Sequence, residues 1–127
     1  MNKLIVFLLL MVSINAQAKD YSDEQIVNAI FKAEGGYKAK YLYGIRSVNY
    51  KDEAEARKIC FNTVRNNRVR FTKQSKYQDF IEFLGSRYCP TKNVSTRAEK
   101  SVNKYWIKNV RFFLDKGKIQ YEYDKKS

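Results

Sequence analysis

The sequence predicts a mostly α-helical protein, with a single small domain of about four main helices after a signal peptide. Apolar residues recur at the i, i+3, i+4 spacing of amphipathic helices in several segments. The first segment is also bracketed by a helix start at Ser22-Asp23-Glu24-Gln25 and a glycine stop at Gly35-Gly36. The tail, with Ile119, Tyr121 and Tyr123 in alternation, indicates a short extended piece or an ordered tail.

Residues 1–18 have the features of a secretory signal peptide. A short positive start precedes an unbroken apolar run from Leu4 to Val12, and Ala16-Gln17-Ala18 is a small-residue cleavage site. The run is too short to form a membrane-spanning helix. We therefore expect a mature domain of residues 19–127 that has no stable membrane span and is periplasmic or secreted. The alternative is an uncleaved N-terminal anchor.

The charge balance is strongly basic, with 25 Lys and Arg against 13 Asp and Glu and a net charge of +12. Residues 57–76 include Lys and Arg but no acid. Such a field favours an anionic polymer as the binding partner. An exported protein meets envelope polymers before it meets nucleic acid. We therefore expect peptidoglycan glycan strands and other anionic envelope polymers as partners, and no specific nucleic acid.

The sequence contains two cysteines, Cys60 and Cys89, and no histidine. In an exported protein two cysteines most simply form one disulfide, here worth on the order of 3 kcal/mol. The alternative is a pair of buried free thiols. The absence of histidine excludes Ser-His and Cys-His nucleophilic sites and argues against a zinc site. We therefore expect neither a metal nor a cofactor.

The predicted elements follow in chain order. The first helix covers residues 23–34, and residues 37–50 form a loop or a short hairpin. The second helix covers 52–67 and the third covers 74–84, where Gly85 ends it. The last helix begins either at a capping box over residues 96–99 or at Asn103, and runs to Gly117.

Glu34 continues the apolar face of the first helix, four residues after Ile30 and three after Phe31. Burying a carboxylate is costly unless it is paired or neutral, and the negative end of the helix dipole adds to that cost. Both effects favour the protonated form of a carboxyl group. A general acid needs such a group at neutral pH. The alternative is that Glu34 turns to solvent at a frayed helix end.

Tyrosines are concentrated in the segment that follows Glu34, where they are interleaved with Lys and Arg. They either provide stacking platforms for sugar rings or form a small core under a long loop. The tyrosines of this segment are Tyr37, Tyr41, Tyr43 and Tyr50.

Residues 29–36 (AIFKAEGG), followed by Tyr43-Gly44-Ile45, are similar to the opening of lysozyme-like, soluble-lytic-transglycosylase-type domains. Residues 83–90 and 103–110 resemble segments of small phage and prophage proteins of that kind. The resemblance implies a mostly α lysozyme-like fold that acts on the glycan strand of peptidoglycan, with Glu34 as the catalytic acid/base. It also places Ser47 in the cleft, where a Gly-Leu-Met-Gln motif usually supplies Gln.

The resemblance therefore implies a peptidoglycan-cleaving lytic transglycosylase or muramidase that acts on the MurNAc–GlcNAc bond with one catalytic glutamate. Arg87 is expected to meet substrate carboxylates or to form a structural ion pair, and Tyr88 and Trp106 either stack on sugars or pack in the core. The alternative function is a non-enzymatic basic envelope protein that binds peptidoglycan or lipopolysaccharide, or inhibits a lysozyme. The expected substrate-binding residues are Tyr37, Tyr43, Ser47, Arg87, Tyr88 and Trp106.

Overall fold

The computed structural model describes residues 21–88 and 97–126, with the backbone alone described at 97–100, 121 and 122. Helix α1 covers Asp23–Ala33, α2 covers Glu53–Thr72, α3 covers Phe80–Tyr88 and α4 covers Arg97–Lys126. Two short 3₁₀ turns, Gly36–Lys38 and Leu42–Gly44, lie between α1 and α2. Strands are absent from both described ranges, which confirms the mostly α class. The predicted signal peptide lies outside the described residues.

The four helices enclose one core. Helix α1 packs against α2 and α4, and α3 packs against the same two helices. Among the helices of residues 21–88 and 97–126, none combines the length and the apolar character needed to cross a membrane. The fully buried side chains that form the centre of the core are Ile26, Val27, Ile30, Tyr43, Cys60, Val64, Leu84 and Val110.

The predicted limits of α1 are confirmed. The Ser22 hydroxyl accepts a hydrogen bond from the Gln25 N–H, and the Gln25 side chain accepts one from the Ser22 N–H, which forms a complete capping box. At the other end Glu34 is the C-cap residue, and Gly35 has a φ of +106°. Because a left-handed backbone is strained for residues with a Cβ, this glycine turns the chain sharply after Glu34.

The segment from Tyr37 to Tyr50 is a loop that includes 3₁₀ turns, so the loop alternative is confirmed and the short hairpin is wrong. The Leu42 N–H donates a 2.9 Å hydrogen bond to the Tyr50 hydroxyl, which ties the two ends of the loop together. The Tyr50 hydroxyl thus gives the Leu42 N–H the hydrogen-bond acceptor that a neighbouring strand would have supplied in a hairpin.

Helix α2 extends to Thr72, five residues past the predicted end at Asn67. Asn67 is buried, and its side-chain amide donates a 2.8 Å hydrogen bond to the Thr63 carbonyl. The asparagine therefore bonds back to its own helix and does not end it. At the start of α2 the Asp52 side chain accepts from the Glu55 N–H at 2.9 Å as an N-cap.

The predicted limits of α3 are wrong at both ends. The helix begins six residues later than expected, because the Asp79 side chain caps it by accepting from the Glu82 N–H at 2.9 Å. Gly85 is buried inside the helix, and the helix continues to Tyr88. A Cβ at residue 85 would lie 2.7 Å from Cγ1 of Ile107, so this glycine permits the close approach of α3 to α4.

Helix α4 begins at Arg97, before Asn103, and continues through Gly117 to Lys126. The predicted stop at Gly117 is wrong, and so is the extended alternative for the tail, which is helical to Lys126. The Asn103 side-chain amide donates a 2.9 Å hydrogen bond to the Gly85 carbonyl, so this residue joins two helices. Asparagine is a common N-cap residue, which is why the sequence offered Asn103 as a helix start. Here its side chain bonds the neighbouring helix instead.

Candidate functional site

The Glu34 carboxyl group lies between α4 and the second 3₁₀ turn. The indole Nε1 of Trp106 donates a 2.8 Å hydrogen bond to Oε1 of Glu34. Gly44 packs so closely on the other side that a Cβ there would lie 2.6 Å from Cδ of Glu34. The side chain is therefore held in place, and the alternative of a frayed helix end is excluded.

The two oxygens of this carboxyl group differ in their hydrogen bonding. Within the described residues Oε2 of Glu34 makes no hydrogen bond, whereas Oε1 is bonded to Trp106. Glu34 as a residue is half-buried. The carboxyl group is therefore oriented through one oxygen, Oε1.

Trp106 and Tyr88 form a stacked pair beside Glu34. Their ring centroids are 5.1 Å apart with an interplanar angle of 26°. Trp106 is only 8% exposed, so its indole is mainly a core group that also positions the carboxyl. The Tyr88 hydroxyl donates to the Tyr43 carbonyl and lies 3.7 Å from the Cys60 thiol.

Burial raises the pKa values of Tyr88 and of the neighbouring Cys60. It raises the pKa of the Cys60 thiol to about 12 and also raises the pKa of the Tyr88 hydroxyl. Both groups therefore stay protonated at neutral pH, and Tyr88 remains a hydrogen-bond donor to Tyr43. The thiol of Cys60 is free in the structure. Cys89 lies outside the described residues, so the disulfide stays a prediction.

Tyr43 occupies the core, which is the second of the two alternatives predicted for the loop tyrosines, and it is not an exposed stacking platform. Its side chain is 1% exposed, and its ring lies 5.1 Å from the Phe31 ring between centroids. Its backbone is left-handed, with a φ of +57°. Arg57 Nη1 donates to the Tyr43 hydroxyl at 3.4 Å and to Asn28 Oδ1 at 2.9 Å. Tyr43 therefore belongs to the core that supports Gly44 and Glu34.

The other predicted contact residues lie on the surface. Tyr37 is 76% exposed, packs edge-on against Phe31 at 4.9 Å, and donates to Oε1 of Glu53 at 3.2 Å. Ser47 and Arg87 are exposed, and Arg87 makes no ion pair with any residue that the structure describes. Among the predicted substrate residues, Trp106 contacts Glu34 directly and Tyr88 supports that contact, whereas Tyr37, Ser47 and Arg87 remain available to a ligand.

The acids at the start of α2 are engaged locally. Asp52 is the N-cap, Glu53 accepts from Tyr37, and Oε2 of Glu55 accepts from the Lys51 N–H at 2.7 Å. All three acids are therefore engaged at the start of the helix. In the part of the chain that the structure describes, no cluster of three or more His, Cys, Asp or Glu side chains has the arrangement of a metal site.

Sequence reasoning missed three supports of this site. Gly44 was read only as part of a motif, whereas its missing Cβ makes room for the carboxyl group of Glu34. Arg57 and Asn28 were not among the predicted site residues, yet they bond to each other, and Arg57 also bonds to Tyr43. A glycine tolerates a positive φ, and Gly44 has a φ of +70° next to Tyr43. Its residue type was therefore a local signal for a turn at this position.

No family model matches the sequence, and no curated protein or solved structure is significantly similar to it. The resemblance to lysozyme-like domains therefore enters only as part of a proposal.

Proposed function

We propose that this protein is an exported, periplasmic or secreted, peptidoglycan-cleaving enzyme that acts on the MurNAc–GlcNAc bond with Glu34 as its single catalytic carboxyl group. The observation that carries the proposal is the fixed, half-buried carboxyl of Glu34, bonded through Oε1 to Trp106 and unbonded at Oε2. The resemblance of residues 29–36 to lysozyme-like domains supports the choice of substrate.

The presence of one such carboxyl favours transglycosylation over hydrolysis. Hydrolytic glycosidases generally use two carboxylates that flank the scissile bond. Here the acids at the start of α2 are bonded to their own helix end and to Tyr37. A reaction in which Glu34 serves first as acid and then as base needs no second carboxylate.

In the proposed reaction, Oε2 of Glu34 donates its proton to the glycosidic oxygen, and the bond between that oxygen and C1 of MurNAc breaks. The electron pair of that bond leaves with the GlcNAc oxygen, which becomes a hydroxyl. The Glu34 carboxylate then removes the proton from the muramyl 6-hydroxyl, and O6 bonds to C1 to form a 1,6-anhydro ring. Glu34 ends the cycle protonated, and no water is consumed.

The substitution Glu34→Gln tests this proposal, because an amide cannot transfer the proton. We expect the variant to fold normally and to lose solubilisation of purified sacculi. Asp124→Asn is the matched control, since Asp124 is an exposed acid near the end of α4 whose side chain accepts from Gln120. Equal solubilisation by wild type and Glu34→Gln would overturn the assignment of Glu34.

The second candidate function is a non-enzymatic module that binds peptidoglycan or lipopolysaccharide or inhibits a lysozyme. It is favoured by the exposed basic side chains of α2, which include Lys58, Arg65 and Arg70. A binding module would sediment with sacculi and release nothing soluble, so the same experiment separates the two functions.

A further inference from the structure

A small cationic pocket lies in the loop between α1 and α2. It has a volume of about 250 Å³ and is lined by Lys40, Tyr41, Arg46, Asn49 and Tyr50, together with two apolar side chains. The hydrogen bond from the Leu42 N–H to the Tyr50 hydroxyl fixes one wall of it. This pocket has no part in the proton transfer proposed above.

Two positive charges are gathered at this pocket around one aromatic ring. Nζ of Lys40 lies 5.4 Å from the centroid of the Tyr41 ring, and Cζ of Arg46 lies 5.3 Å from the same centroid. Neither cation forms an ion pair with a residue that the structure describes. Residues 35–51 contain no Asp or Glu. Two cations that lie over one aromatic ring and have no acidic partner among the described residues favour the binding of an anion.

The size and chemistry of the pocket narrow the choice of anion. A volume of about 250 Å³ is below the usual range for a whole drug-sized ligand, so the pocket suits a side group. Arg46 can bond a carboxylate through two N–H groups, and the Asn49 amide can bond a peptide group. A carboxylate at the end of a short peptide branch satisfies all of these groups.

The pocket is also close in the chain to the proposed catalytic group. Ile45, which lines the pocket, directly follows Gly44, and Gly44 packs on the Glu34 carboxyl group. The pocket and the Glu34 carboxyl group therefore contact two adjacent residues of the same loop. We propose that this pocket binds a carboxylate on the peptide branch of the muramyl sugar, an inference that rests on the proposed function.

The test measures binding without turnover, in the Glu34→Gln background. The probes are a soluble GlcNAc–MurNAc disaccharide that carries a tetrapeptide, the same disaccharide without the peptide, and the tetrapeptide form with its carboxylates amidated. We expect the peptide-bearing probe to bind about tenfold more tightly than the other two, and Lys40→Gln/Arg46→Gln to remove that difference.

Lys38→Gln/Lys51→Gln is the matched control, because it removes the same charge from two exposed lysines that do not line the pocket. It should keep the tenfold preference. Equal binding of all three probes, or an equal loss in both double variants, would overturn the pocket proposal. A failure of the proposed function is distinguishable, since it would appear as wild-type protein that releases nothing from sacculi.

Discussion

Trp106 and Glu34, 72 residues apart in the chain, meet through a 2.8 Å hydrogen bond from the indole Nε1 to Oε1. This contact joins the first third of α4 to the end of α1. It gives a mostly buried tryptophan a polar partner and gives a half-buried carboxyl group a fixed orientation. Stability and the proposed chemistry therefore depend on the same bond.

Replacement of Trp106 by Phe should impair activity more than folding. The variant keeps an aromatic ring beside Tyr88 but loses the N–H donor, so Glu34 is free to rotate. We expect release of soluble muropeptides to fall on the order of 10²-fold, as is typical when a reacting group is misplaced. Tyr105→Phe, an exposed change on the same helix, is the control. Unchanged release by Trp106→Phe would show that the bond does not position Glu34.

Gly44→Ala should damage the site, because its Cβ would overlap the Glu34 carboxyl group and its φ is +70°. The left-handed backbone alone costs about 1–2 kcal/mol for a residue with a Cβ. Gly117→Ala is the contrasting change, since a Cβ there meets nothing within 4 Å and the residue is helical. We expect that variant to gain up to about 1 kcal/mol. Urea denaturation measures both, and equal effects would contradict the account.

Gly85→Ala should destabilise the contact between α3 and α4, since the new methyl group would lie 2.7 Å from Cγ1 of Ile107. Ile107→Ala removes that atom at the cost of a cavity. The double variant should therefore lose less free energy of unfolding than the two single variants combined. Additive losses in a double-mutant cycle would mean that the two side chains do not compete for space.

The free energy of unfolding should decrease at high pH, where the Tyr21 hydroxyl loses its proton. Its hydrogen bond to Asp115, at 2.6 Å, raises the pKa of Tyr21 from 10.0 to about 12. Because the folded state holds this proton more tightly, the stabilisation is complete below pH 10 and is lost as the pH rises towards 12. Wild type should therefore be more stable than Tyr21→Phe at pH 8, and the difference should shrink between pH 10 and 12. A constant difference in thermal unfolding would contradict this.

Local sequence signals predicted the parts of the fold that are decided locally. The Ser22 capping box and the glycines after Glu34 set both ends of α1, as predicted. Gly85 and Gly117 were predicted to end helices because glycine is common just after a helix, yet both lie inside helices. Gly85 is there because Ile107 approaches it, and that approach involves a residue distant in sequence. Tertiary packing overrides local propensity at such positions.

The candidate site was predictable only in part for the same reason. The helical spacing placed Glu34 on the apolar face of α1, but its partner Trp106 lies on α4 and could not be assigned from spacing. Tyr43 was expected near Glu34, and it is near; its ring is buried because Phe31 packs on it and Arg57 bonds its hydroxyl. Contacts between distant helices determine which tyrosines are exposed.

The most direct test of the central claim is mass spectrometry of the soluble products formed when the mature domain is incubated with purified sacculi. Transglycosylation by Glu34 predicts muropeptides that end in 1,6-anhydro-MurNAc, present with wild type and absent with Glu34→Gln. Products with reducing ends would contradict the single-carboxyl mechanism, because they require water and a second acid. The absence of soluble product, with the protein bound to the pellet, would contradict enzymatic cleavage altogether.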